Sequence, residues 1–171
     1  MGFLAGKRSY LGGPMQYTDW DNGWREEVSA VLTNEFKIDL FDPAKDAKQQ
    51  WVEQLKNAQD KRDYDEMRRI AKQFVHKDLL IVDRMDFVIA SVPYKVPTIG
   101  TTHECISSDE KRKPTLLVCE QGKHLVPAWY YGIIPHRYFF GAWQDMYKYL
   151  REVDAGLHMD DDRWAFVYGL I

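Results

Sequence analysis

The order of apolar and amphipathic segments in this chain predicts an α/β fold: a doubly wound parallel sheet flanked by helices on both faces, Rossmann/flavodoxin-like. Three observations carry that expectation. Residues 86–92 (Asp-Phe-Val-Ile-Ala-Ser-Val) and 114–119 (Pro-Thr-Leu-Leu-Val-Cys) are short and almost wholly apolar, as strands covered on both faces must be. Stretches with helical spacing separate the strand signals. Two glycine-containing turns, Tyr10-Leu-Gly-Gly-Pro14 and Gly100-Thr-Thr-His-Glu104, each follow a strand signal. In an open parallel sheet such turns lie at the carboxyl edge of the strands, where ligands bind.

The elements follow in order. Residues 8–12 read as a first strand, stopped by Gly12, Gly13 and Pro14. A loop with Tyr17, Asp19, Trp20 and Asp21 comes next. Residues 24–36 read as a helix, because Trp24, Val28, Val31 and Leu32 recur at helical spacing. Residues 37–41 form a short strand ended by Asp42-Pro43. Residues 44–85 are helical and highly charged. Trp51, Leu55 and Ala58 mark one face of a first piece; Tyr64, Met67, Ile70, Ala71, Phe74 and Val75 mark the face of a second. Continued by the same rule, that second face reaches Asp78 and then Val82. An acid therefore stands where an apolar residue is expected. Buried charge is costly unless compensated, so Asp78 is either at a cleft or paired. A solvent-facing acid beside Lys77 or Arg84 at a helix end is the plainer alternative. Residues 93–99 read as loop and 101–112 as helix. Residues 126–135 are apolar and aromatic without a clear period. Residues 139–153 read as a helix with Trp143, Met146, Tyr147 and Leu150 on one face. The run 164–168 (Trp-Ala-Phe-Val-Tyr) is too apolar to be loose.

The 171 residues suit one domain, 1–171, with one core. A net charge of -3 argues against nucleic acid as a partner, since a phosphate backbone is gripped by excess Lys and Arg. No apolar run approaches the roughly 20 residues that span a bilayer, so no membrane partner is expected. Residues 1–7 lack the apolar stretch of a signal peptide, and Cys105 and Cys119 fit buried thiols in a reducing compartment. A cytoplasmic location is the expectation. No Cys/His spacing of the zinc type occurs.

Glu104 is the first candidate for chemistry. Thr101-x-x-Glu104 fits a capping box, in which both side chains satisfy amides of the first helical turn. Alternatively Glu104 faces the cleft as a nucleophile, attacking an anomeric carbon and splitting one displacement into two. Asp78 is the second candidate, as an acid that protonates or orients a departing base. Asp42, at a strand end before Pro43, is placed where cleft residues occur. Asp86 precedes a strand and reads as a loop cap. Tyr10, Trp20 and Trp24 lie on or beside the first turn and could stack a planar ligand, although Trp24 also fits a helix face. His103 is expected to point away, and Cys105 lacks a catalytic His and Asn frame.

Taken in order, Tyr10-Leu-Gly-Gly-Pro-Met15, Gly23-Trp-Arg-Glu-Glu27, Asp42-Pro43, Asp78, Asp86-Phe-Val-Ile-Ala, Gly100-Thr-Thr-His-Glu104 and Lys113-Pro114 resemble the nucleoside 2-deoxyribosyltransferase family. The resemblance spans residues 7–120. It implies a doubly wound α/β fold and exchange of the base on a 2′-deoxynucleoside through a covalent deoxyribosyl-glutamate. It makes Glu104 the nucleophile and Asp78 the acid that handles the base. Tyr10 and Gly12 become pocket residues, and Asp86 an acid framing the nucleophile loop. Pro14, Gly100 and Thr101 belong to the two turns that would hold the substrate, with Trp20 and Asp42 beside them. The implied partners are a nucleoside or nucleotide, a free nucleobase and other copies of the chain. Neither a metal nor another cofactor is implied. The chain departs from the family at Cys105-Ile-Ser-Ser108, and no Asn follows Asn57, whereas family transferases complete the pocket with an Asn from a neighbouring subunit. Hydrolysis of a nucleoside or its 5′-monophosphate, and non-catalytic nucleotide binding, are the alternatives. For a monophosphate, Lys7, Arg8, Ser9 and Thr98 are the available phosphate contacts.

Overall fold

Five strands form one all-parallel sheet in the order β2-β1-β3-β4-β5, the flavodoxin-like arrangement. The structure, a computed structural model, describes residues 2–15, 23–45 and 49–170, and the side chains of all of these except 49 and 50. The strands are β1 (Arg8–Gly12), β2 (Asp39–Phe41), β3 (Phe87–Ser91), β4 (Thr115–Val118) and β5 (Phe139–Phe140). The helices of the fold are α1 (Trp24–Asn34), α2 (Gln49–Asp60), α3 (Tyr64–Arg84), α4 (Ile99–Glu110), α5 (Ala128–Tyr131) and α6 (Trp143–Asp154).

Every residue of β3 and β4 is buried, which explains their near-continuous apolar sequence. Register places Tyr10 opposite Val88 and Gly12 opposite Ala90, so the exits of β1 and β3 lie side by side. On one side of the sheet α1 meets α6 through stacked Trp24 and Trp143 rings, 5.2 Å apart at 12°. α3 and α4 pack together on the other, and α2 lies on α3. Trp24 is 5% exposed and belongs to the core, as its helical spacing indicates.

Three expectations are corrected. Residues 139–140 are a strand rather than the start of the last helix. Phe139 and Phe140 pair with Leu117 and Val118, and the Cys119 amide donates to the Phe140 carbonyl at 3.0 Å. Two residues are too few to show a period of two. Second, α4 begins at Ile99 instead of Thr101, because the Thr102 amide already donates to the Thr98 carbonyl at 2.8 Å. Third, Tyr64 and Val75 share the helical spacing of the buried α3 face but are exposed; only Ile70, Asp78 and Val82 are buried there. The 21 residues of α3 pack against both α2 and α4, so no single stripe is buried along the whole helix.

The C-terminal segment is tied down, as its apolar run requires. Trp164 is fully buried against Phe87 and donates from its indole to the Tyr149 hydroxyl at 2.8 Å. Asp161 accepts hydrogen bonds from the Arg137 guanidinium and the Tyr138 hydroxyl. Cys105 and Cys119 are both buried free thiols. Among the described residues, no helix is long and apolar enough to cross a membrane.

Candidate functional site

A crevice opens where the strand order reverses, between the exits of β1 and β3, the position at which open α/β sheets bind ligands. It holds a cavity of about 230 Å³. Each wall has a local cause. β1 stops at Gly12, and Gly13, Pro14 and Met15 form one lip. The Pro97-Thr98 approach to α4 and its first turn, Ile99 to Thr101, form the opposite lip. α2 and α3 close the side with Trp51, Val52, Leu55 and Phe74.

The ionisable side chains among the described lining residues are Tyr10, Asp78 and Glu104. Tyr10 is fully buried, and the two acids are each 8% exposed. The Tyr10 hydroxyl donates to Glu104 Oε1 at 2.6 Å, a short charge-assisted contact that fixes the carboxylate's rotation. Burial, and then the nearby Glu104 and Asp78 charges, push the Tyr10 phenol far above its ordinary value. Tyr10 therefore stays a donor at any working pH. The other carboxylate oxygen lies by Gly12: a β-carbon there would stand 3.4 Å from Glu104 Oε2 and 3.2 Å from Thr101 Cγ2. A glycine at this position leaves room for the acid.

Because α4 begins at Ile99, Thr101 is already inside the helix and Glu104 lies in its second turn. The capping box is thus ruled out: Thr98 is the N-cap residue and makes no side-chain cap bond. Asp78 is also not a solvent-facing acid at a helix end. It is buried six residues before the end of α3 and lines the cavity.

Of the residues singled out in the sequence, Glu104, Asp78, Tyr10, Pro14, Gly100 and Thr101 line the cavity, and Gly12 adjoins it. Asp42 lies behind it, 7% exposed and bound to Arg25. Asp86 is corrected. It sits at the amino edge of the sheet, where its carboxylate accepts from the Arg8 amide at 2.7 Å and pairs with the Arg8 guanidinium. A residue just before a strand belongs to the edge opposite the ligand crevice. The same reason removes Lys7 and Arg8 as phosphate contacts, since both precede or begin β1; Lys7 Nζ lies over the Phe166 ring instead. Trp20 lies outside the described residues. His103 is exposed and does not line the cavity. Cys105 faces the core, and burial pushes its thiol well up, which makes it inert.

Sequence reasoning missed Arg25. It is 7% exposed, and its Nη1 donates to Asp42 Oδ1 at 2.8 Å and to the Leu11 carbonyl at 2.9 Å. It thereby ties the exit of β1 to the loop after β2. Burial lowers its pKa, against the opposing pull of Asp42. The signal was present: Arg25 stands three residues before Val28 and seven before Leu32, on the buried face of α1. Like Asp78, Arg25 is a charged residue on an apolar helical face.

The chain matches no protein-family model and no curated protein. The site must be read from its own chemistry. Among the described residues, no group of His, Cys, Asp and Glu side chains is arranged to hold a metal ion. Two buried acids share the cavity, one with an oxygen held by a tyrosine, and such a pair has the chemistry for nucleophilic attack or proton transfer.

Proposed function

We propose that this crevice binds a nucleoside and that Glu104 breaks its N-glycosidic bond. The observation that carries the reading is Glu104 itself: a buried carboxylate on a ligand-sized cavity at the β1/β3 switch point, held by the Tyr10 hydroxyl at 2.6 Å. The fold and the motif order that resemble the nucleoside 2-deoxyribosyltransferases support it further.

In the proposed cycle, one Glu104 oxygen attacks C1′ of the sugar as the bond from C1′ to the base nitrogen breaks. The electron pair of that bond leaves with the base, and Asp78 passes a proton to the base. This yields the free base and a deoxyribosyl ester on Glu104. Tyr10 orients the carboxylate before attack and stabilises it again when the ester is cleaved. A second base then attacks C1′, the Glu104 carboxylate departs, and the incoming base returns its proton to Asp78. Water in place of the second base gives hydrolysis.

The test is chromatography of the purified protein with each 2′-deoxynucleoside and its 5′-monophosphate, with and without a second free base, beside Glu104→Ala. A new nucleoside formed only with added base identifies a transferase. Free base without exchange identifies a hydrolase. Turnover that survives Glu104→Ala would refute the proposed nucleophile, and binding without turnover in every lane would leave a nucleotide-binding module.

A further inference from the structure

The side wall of the cavity bears on what the base carries. Phe74 and Asp78 are one helical turn apart on α3, so the wall is continuous with the acid assigned to the base. Trp51 stacks on Phe74, with ring centroids 6.4 Å apart at 30°, and Lys77 Nζ lies over the Trp51 ring at 5.6 Å. Val52 and Leu55 extend this slab, and Met15 lines the same cavity from the β1 lip. Among the described lining residues there is no Lys, Arg or His.

A bare nucleobase has a planar face and a rim of hydrogen-bonding groups. The planar face suits Trp51 and Phe74. The rim does not suit Val52, Leu55 or Met15, which offer no partner to the groups they would desolvate. Hydrocarbon is what this part of the wall can bury at no polar cost. Its position beside Asp78 puts that hydrocarbon on the base and not on the sugar, which must lie at Glu104 and Tyr10.

We infer that the preferred base carries an apolar substituent, seated on Leu55 and Val52 beside the Trp51–Phe74 slab. The inference rests on the nucleoside reading above. Each buried methylene is worth roughly fourfold in affinity, so a propyl group should gain at least about tenfold even when only one side is covered.

Calorimetric titration of the unmodified chain with uracil against 5-propyluracil, and adenine against N6-propyladenine, tests this without any turnover. The corresponding deoxynucleosides form a parallel base-release series. In one of the two pairs the propyl base should bind at least about tenfold more tightly. That ratio should fall to about threefold or less in Leu55→Asn and in Val52→Asn. Val52 is 59% exposed, so its variant keeps the test open if Leu55→Asn does not fold. Equal binding within both pairs, a ratio unchanged in the folded variants, or no binding of any base would overturn the inference. Propyl-selective binding with no base release would uphold the subsite and sink the glycosidic reading. Base release without propyl selectivity would do the reverse.

Discussion

Replacing Arg25 by Met tests whether the floor of the site hangs on one buried ion pair. The Arg25 and Asp42 side chains are 9% and 4% exposed, so neither partner has water to fall back on. Removing one member of a buried pair costs about 3–5 kcal/mol, because the remaining charge is left uncompensated. The Leu11 carbonyl also loses the donor at 2.9 Å, worth about 1 kcal/mol. One effect runs the other way. Among the described residues Arg25 Nη2 is buried without a hydrogen-bond partner, and Met removes that desolvated group, returning roughly 1–3 kcal/mol. The net expectation is a loss of about 3 kcal/mol. Urea denaturation with linear extrapolation measures it. Arg25→Met/Asp42→Asn should be clearly more stable than Arg25→Met alone, since the stranded charge is gone while the Asn oxygen can still accept from the Ala44 amide, as Asp42 does at 3.0 Å. A single-variant loss below about 1 kcal/mol, or a double variant no better than the single, would refute the reasoning.

Other consequences follow from the same geometry. Tyr10→Phe should lower the base-release rate about tenfold to a hundredfold, the equivalent of one hydrogen bond to a charged group, and an unchanged rate would remove Tyr10 from the mechanism. Gly13→Ala should be more damaging than Gly12→Ala in thermal melts. A β-carbon at Gly13 would meet Trp24 Cζ2 at 2.7 Å, inside the core, while at Gly12 the closest atom is 3.2 Å away; equal melting temperatures would contradict this. Burial raises the phenol pKa of Tyr10, Tyr130, Tyr138 and Tyr149, and pushes Tyr147 up to about 12. Unfolded phenols ionise near pH 10, so above that the native state holds more protons than the unfolded state, and stability must fall as pH rises, by up to about 1.4 kcal/mol per pH unit for each phenol. Urea midpoints at pH 9, 10 and 11 should decline progressively, and a constant midpoint would show that these phenols are not buried.

The sequence alone determined the two central strands, β3 and β4. Residues 87–91 and 115–118 are so uniformly apolar that only strands covered on both faces could use them, and both segments are β-strands. The run 164–168 had to be tied down for the same reason, and Trp164 is fully buried. Asp78 was visible as an acid interrupting an apolar helical face, a conflict that depends only on local period. What lies further apart was decided by tertiary structure. Whether Thr101 and Glu104 formed a cap turned on where α4 begins, and that start is set by the Thr98 carbonyl, three residues before the expected helix. Asp86 precedes β3 and Asp42 follows β2, so the two acids take opposite edges once every strand pairs in parallel, and that pairing is made between elements. β5 has two residues, and its pairing to β4 is a long-range fact with no local pattern. The ion pair between Arg25 and Asp42 and the slab of Trp51 and Phe74 each join separate elements. Period and propensity act over a few residues, whereas a binding cavity is made by the distances that remain between elements once the sheet has chosen its order.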